Sequence, residues 1–132
     1  MGAWGEKAFE NDSALDWLAD LEDGGVTALR DTLSRVAGAG ADDYVEVDDC
    51  SAAIAAAEIV AGALGERDRL TEEAVAWLDA NRGAVVPGDK IAAKRAVERV
   101  LAEGSELREL WDENGPDTEW HADVRALLTR LG

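Results

Sequence analysis

The stretch Ser51-Ala52-Ala53-Ile54-Ala55-Ala56-Ala57-Glu58-Ile59-Val60-Ala61-Gly62-Ala63-Leu64 constrains this chain more than any other. Alanine is the best helix former, and a run of small side chains lets neighbouring helices approach closely. The stretch therefore reads as a helix, started by Asp48 or Asp49, at the centre of a bundle. Its single charge is Glu58, whose helical neighbours Ile54, Ala55, Ala61 and Gly62 are all apolar. A carboxylate on a central helix is at least partly buried, and there it must be paired, hydrogen-bonded or neutralised. Two roles fit: a general acid/base tuned by burial, or an internal anchor for backbone N–H groups, a Trp indole or an Arg. No second catalytic group is placed beside it, which favours the anchor.

The rest of the chain reads as helices nearly throughout. Asn11-Asp12-Ser13 supplies N-capping side chains for a first helix that stops at Gly24-Gly25. At helical spacing Ala14, Trp17, Leu18 and Leu21 share one face, and Asp12, Asp16, Asp20 and Asp23 share the opposite one. Thr27 starts a second helix with Leu29, Leu33 and Val36, ending in Gly38-Ala39-Gly40. Tyr44-Val45-Glu46-Val47 alternates but is too short for a sheet without partners, and reads as extended loop. After the alanine-rich helix, Thr71 caps a helix with Trp77 and Leu78, and Asp89 opens another. That helix is expected to turn Ile91, Ala93, Val97, Val100 and Leu101 inward and Lys90, Lys94, Arg95 and Arg99 outward. Ser105 caps a helix through Leu107, Leu110 and Trp111, and a last one follows Pro116-Asp117-Thr118 with Trp120, Val124, Leu127, Leu128 and Leu131 on the core. The expected fold is all-α: one compact domain over 1–132, a bundle of six or seven helices with an ordered N-terminal segment.

Charge narrows the function classes. The chain has 132 residues, 29 acidic and 13 basic side chains, and a formal net charge of -16. With a pI near 4.2, it lacks the surplus Lys and Arg that phosphate backbones require, so direct nucleic-acid binding is not expected. Mean hydropathy of -0.21 and the lack of a long charge-free apolar run argue against a membrane span. No secretory signal pattern opens the chain, and Cys50 is its one cysteine. Both fit a cytoplasmic setting. Most of the excess acid lies in residues 1–66, which has a bland reading as a solubilising surface and a functional one as a face for a basic partner.

The chemical constellations are sparse. His121 is the only histidine, so nucleophilic catalysis would need it beside Cys50 or a distant serine, and no nucleophile elbow surrounds Ser13, Ser34, Ser51 or Ser105. A lone histidine in an amphipathic terminal helix is expected at the surface or boundary. One Cys and one His fall short of a structural zinc site, and no phosphate loop or dinucleotide fingerprint occurs. Asp42, Asp43, Glu46, Asp48 and Asp49 crowd one loop without EF-hand spacing. They read as a solvated loop whose last acids complement a helix N-terminus, rather than as a metal site. No cofactor is expected, and the chain is not read as an enzyme.

The N-terminus is the other odd feature. Trp4 and Phe9 bracket glycine-containing chain where a free tail would fray, so both are expected to pin the segment to the bundle. Met1-Gly2-Ala3-Trp4-Gly5, Phe9-Glu10-Asn11-Asp12 and Asp16-Trp17, followed by Ala55 to Ala61 and Ser105 to Trp111, resemble the bacterial domain of unknown function 4259 family over nearly the whole chain. That resemblance implies no activity, substrate or catalytic residue.

The leading functional expectation is a small acidic cytoplasmic interaction or regulatory module of inhibitor or immunity type. It would meet a basic protein partner through Asp12, Asp16, Asp20 and Asp23 or through Asp42, Asp43 and Glu46. One alternative is a small-ligand binder or enzyme with a pocket around Glu58 and the Trp4 segment. Another is a purely structural subunit with an exposed aromatic, Trp120 or Trp4, as its interface anchor. Sequence leaves the oligomeric state open.

Overall fold

A computed structural model describes residues 8–65, 67–115 and 117–132. Among them are six helices and no strand: α1 (Asp12–Ala37), α2 (Val47–Ala63), α3 (Glu72–Ala80), α4 (Pro87–Val100), α5 (Glu106–Asp112) and α6 (Glu119–Leu131). The first starts where the Asn11 side chain accepts the Ala14 N–H at 2.8 Å, filling one of the orphan donors of its first turn. It is one element only nominally. Gly25 sits at φ 64°, ψ −152°, a conformation essentially confined to glycine. The Trp17 indole N–H donates to the Thr32 hydroxyl across this break at 2.8 Å. A straight helix would hold those residues about 22 Å apart, so the two arms, 12–24 and 26–37, fold back on each other. The glycine pair thus punctuates the chain where the sequence placed it.

The alanine-rich helix α2 packs against all five others, as its composition predicts. Gly62 shows the effect of small residues: a Cβ there would meet Leu70 Cδ1 at 2.5 Å and Leu78 Cδ1 at 3.1 Å. The caps of α3 and α5 form as expected, with Thr71 accepting from Ala74 N at 3.2 Å and Ser105 from Arg108 N at 3.3 Å. Between them, α4 turns the expected face inward except at Ile91 and Arg99. Ala93, Ala96, Val97 and Val100 face inward with Asp89 and Arg99, whereas Ile91 is 57% exposed. An alanine face fits close against small-residue α2, and Ile91 lies about 200° round the helix from Ala93.

At α6 the core placement of Trp120 holds, whereas the boundary placement of His121 fails. His121 is buried, and so is Trp120, whose ring stacks parallel to that of Trp111 with centroids 6.1 Å apart. Trp120 is therefore no exposed interface anchor. At the other end Phe9 is buried in the core as anticipated, while Trp4, and with it the expected order of the opening segment, lies outside the described residues. No helix among the described residues is long and apolar enough to cross a membrane.

Candidate functional site

The hairpin geometry of α1 turns its outer faces and the start of α2 into the walls of a cleft of about 600 Å³. The first arm contributes Asp12, Ser13, Asp16 and Asp20; the second contributes Asp31 and Arg35; α2 adds Asp48 and Asp49 from its first turn. Trp17, Ala28, Thr32 and Ala52 also line it, and the Trp17–Thr32 hydrogen bond ties the two arms together beneath the carboxylates. Ser13 donates to Asp48 Oδ1 at 2.7 Å, linking the first arm to α2. The single cation, Arg35, reaches Asp49 at 3.4 Å with both side chains well exposed, a pair of little energetic weight.

Electrostatically the cleft is one-sided. Asp12, Asp16, Asp20 and Asp31 make no ion pair among the described residues. Six carboxylates facing one guanidinium across a concave, partly apolar surface focus a negative potential outward. Asp12, Asp48 and Asp49 also stand in first helical turns, where the positive end of the helix favours them.

The structure splits the acidic residues that the sequence grouped. Asp12, Asp16 and Asp20 meet in the cleft, but Asp23, exposed near the bend, is not among its lining residues. Asp42, Asp43 and Glu46 are exposed on the connection into α2 and do not line it either; Asp43 accepts from the Gly40 N–H at 2.7 Å. Asp31 is the addition that sequence reasoning missed. Its helix was read for apolar spacing alone, although Asp31, Arg35 and Ala28 share a face at intervals of three and four.

Glu58 is fully buried and both its oxygens accept from Arg130, at 2.8 and 3.0 Å. An arginine was one of the three anchors anticipated for it. The bidentate pair engages both carboxylate oxygens. Arg130 borders a second cleft, of about 440 Å³, beside Asp68 and Arg69; Arg69 pairs in turn with Asp123.

A hydroxyl, an imidazole and a carboxylate do line up at the start of α6. His121 Nδ1 lies 2.8 Å from the Thr118 hydroxyl and accepts the Thr118 backbone N–H at 3.2 Å, and Nε2 lies 2.7 Å from Asp112 Oδ1. These are the parts of a hydrolytic relay, but the ring is only 3% exposed and its Nδ1 is committed to the helix N-terminus. The histidine occupies the place that a Glu takes in a capping box. The last nucleophile, Cys50, is buried 3.5 Å from the Ser105 hydroxyl. Burial pushes its thiol pKa up, which keeps it protonated and unreactive.

The family described as Domain of unknown function (DUF4259) matches residues 2–123 of the chain. No curated protein and no solved structure matches it.

Proposed function

Because the chain belongs to the DUF4259 family, whose description states no activity, we propose a function from the cleft itself: a cytoplasmic protein-interaction module that docks a basic protein partner. The observation that carries this reading is the convergence of carboxylates from both arms of α1 and from α2 on one concave surface with a single cation. Such a surface speeds encounter with a complementary positive patch and disfavours anionic competitors. A regulatory role of inhibitor or immunity type follows naturally, since carboxylates placed this way occupy a basic site that would otherwise hold an anionic ligand. The buried, doubly bonded Glu58 gives the ligand-binding or enzymatic alternative no comparable support.

The test is charge reversal of Asp16, Asp20 and Asp31 to Lys, read as the association rate with an oligo-arginine peptide and with basic proteins captured from the native host. At low salt the rate is expected to fall on the order of tenfold or more, with the gap closing as salt rises. Equal rates for the native and reversed proteins would overturn the proposal.

A further inference from the structure

Arg99 sits in the last turn of α4 and is 9% exposed, yet it makes no ion pair among the described residues. Its guanidinium instead donates to four backbone carbonyls: Ala39 at 3.3 Å, Gly40 at 3.2 Å, Asp43 at 2.7 Å and Glu103 at 2.9 Å. Three of these belong to the connection that leaves α1 and enters α2. A buried guanidinium requires such acceptors, and the carbonyls just beyond a helix C-terminus supply the partial negative charge.

The same seam continues toward the cleft. Val45 N donates to Gly104 O at 2.8 Å, Glu106 N to Val45 O at 3.0 Å, and Val47 N to the Glu106 carboxylate at 2.8 Å. Gly104 itself stands at φ +80°, and a Cβ there would come within 2.7 Å of Asp43 O and 3.2 Å of Arg99 Nη2. The connection is thus clamped by Arg99, stitched past Gly104, and released into α2 at Val47, immediately before Asp48 and Asp49.

We infer that Arg99 is a positioning residue for the acidic cleft: its grip on the connection sets where Asp48 and Asp49 stand relative to the carboxylates of α1. This rests on the cleft being a docking site for a basic partner. Replacing the guanidinium removes the one donor group shared by these four carbonyls, and the connection, released from it, shifts and carries the start of α2 with it.

A double-mutant cycle tests this, with an oligo-arginine peptide as the probe and affinity measured well below the melting temperature of every variant. In the protein with Arg99, Asp48→Asn/Asp49→Asn is expected to weaken binding about fivefold to tenfold. In Arg99→Met the same pair of substitutions is expected to change it less than about twofold, because the two carboxylates have already left the cleft. Arg99→Lys, which keeps the charge but not the four-way geometry, serves as the variant least prone to unfold and is expected to show the same non-additivity. A purely structural role lowers the melting temperature yet leaves the effect of Asp48→Asn/Asp49→Asn the same size in all three backgrounds, and that result overturns the inference. If that pair has no effect even with Arg99 present while Asp16→Asn/Asp20→Asn weakens binding, the cleft stands and the inference falls. If neither pair matters, the docking reading falls and takes the inference with it.

Discussion

Helix α2 begins in the acidic cleft and ends in the core, so one helix carries carboxylates under two regimes. Asp48 and Asp49 stand in its first turn, in reach of water and of the helix's positive end. Glu58, farther along the same helix, has no exposure at all and is held by a bidentate guanidinium. The contrast shows what frees a charge for recognition. The solvated carboxylates make exposed contacts of little energetic weight, to Ser13 and Arg35, whereas a desolvated one must be matched atom for atom.

The comparison is broken most severely by removing one side of the buried pair. Glu58→Ala removes both carboxylate acceptors from the Arg130 guanidinium and opens space in the core, expected to destabilise by about 3–5 kcal/mol and to appear as a large drop in melting temperature. Glu58→Gln keeps an acceptor and should fall between the two. An unchanged melt for Glu58→Ala would mean the pair is not the anchor described. The next largest effect is expected at the bend. Gly25→Ala meets no atom within 4 Å of its new Cβ, so its expected cost of about 1–3 kcal/mol is pure backbone strain, and it should weaken probe binding without altering charge.

An intermediate case sharpens the contrast further. Asp89 is 6% exposed and salt-bridged to Arg30, which is 42% exposed; it also accepts from Val86 N at 2.9 Å. The Arg30 hydrogen bond is the main cause that holds its carboxyl below the usual carboxylate range, against the opposing effect of burial. A carboxyl depressed in the folded state contributes stability above its unfolded pKa, about 3.9, and loses it as pH falls through the lower folded value. Asp89→Asn is therefore expected to cost about 1–2 kcal/mol near neutral pH, discounted for the solvent around Arg30. Urea melts at decreasing pH should show the gap to the native protein shrinking below the unfolded pKa; a gap that persists would exclude ionisation as its source. The smallest effect is expected in the cleft, where Asp16→Asn, Asp20→Asn and Asp31→Asn should each shift stability by no more than about 0.5 kcal/mol, in the stabilising direction at low salt as repulsion is relieved. A clear loss would show that these carboxylates serve the fold as Glu58 does.

Much of this was legible in the sequence where one local rule decided the outcome. Thr71 and Ser105 cap helices because their hydroxyls precede apolar spacing, and the glycine pair interrupts α1 because Gly25 takes a positive-φ backbone that other residues rarely adopt. Glu58 was readable as buried from its four apolar helical neighbours, although the identity of Arg130, distant in sequence, was not. The misses arose where packing outweighed residue type. Ile91 is the most apolar side chain on its helix and still faces outward, since the alanine side fits α2 better. Arg99 was assigned to water because Arg usually is, and the acceptors that bury it are backbone carbonyls invisible to composition. His121 carried a missed signal, since it stands three residues after Thr118 in the position of a capping partner.

The hydrogen bond across the α1 bend also separates the two regions in time. Trp17 and Thr32 are 15 residues apart, whereas Glu58 and Arg130 are 72 apart. Closing the longer loop costs about 1.4 kcal/mol more in chain entropy, and local contacts are formed sooner than distant ones. The hairpin beneath the cleft is thus expected to be in place while the last helix is still undocked, and the buried pair to close near the end of folding. Stopped-flow measurements should then find Thr32→Val slowing folding and Glu58→Gln chiefly speeding unfolding. In kinetic terms the recognition surface is an early feature of the chain, and the lifetime of the folded state is set at its far end.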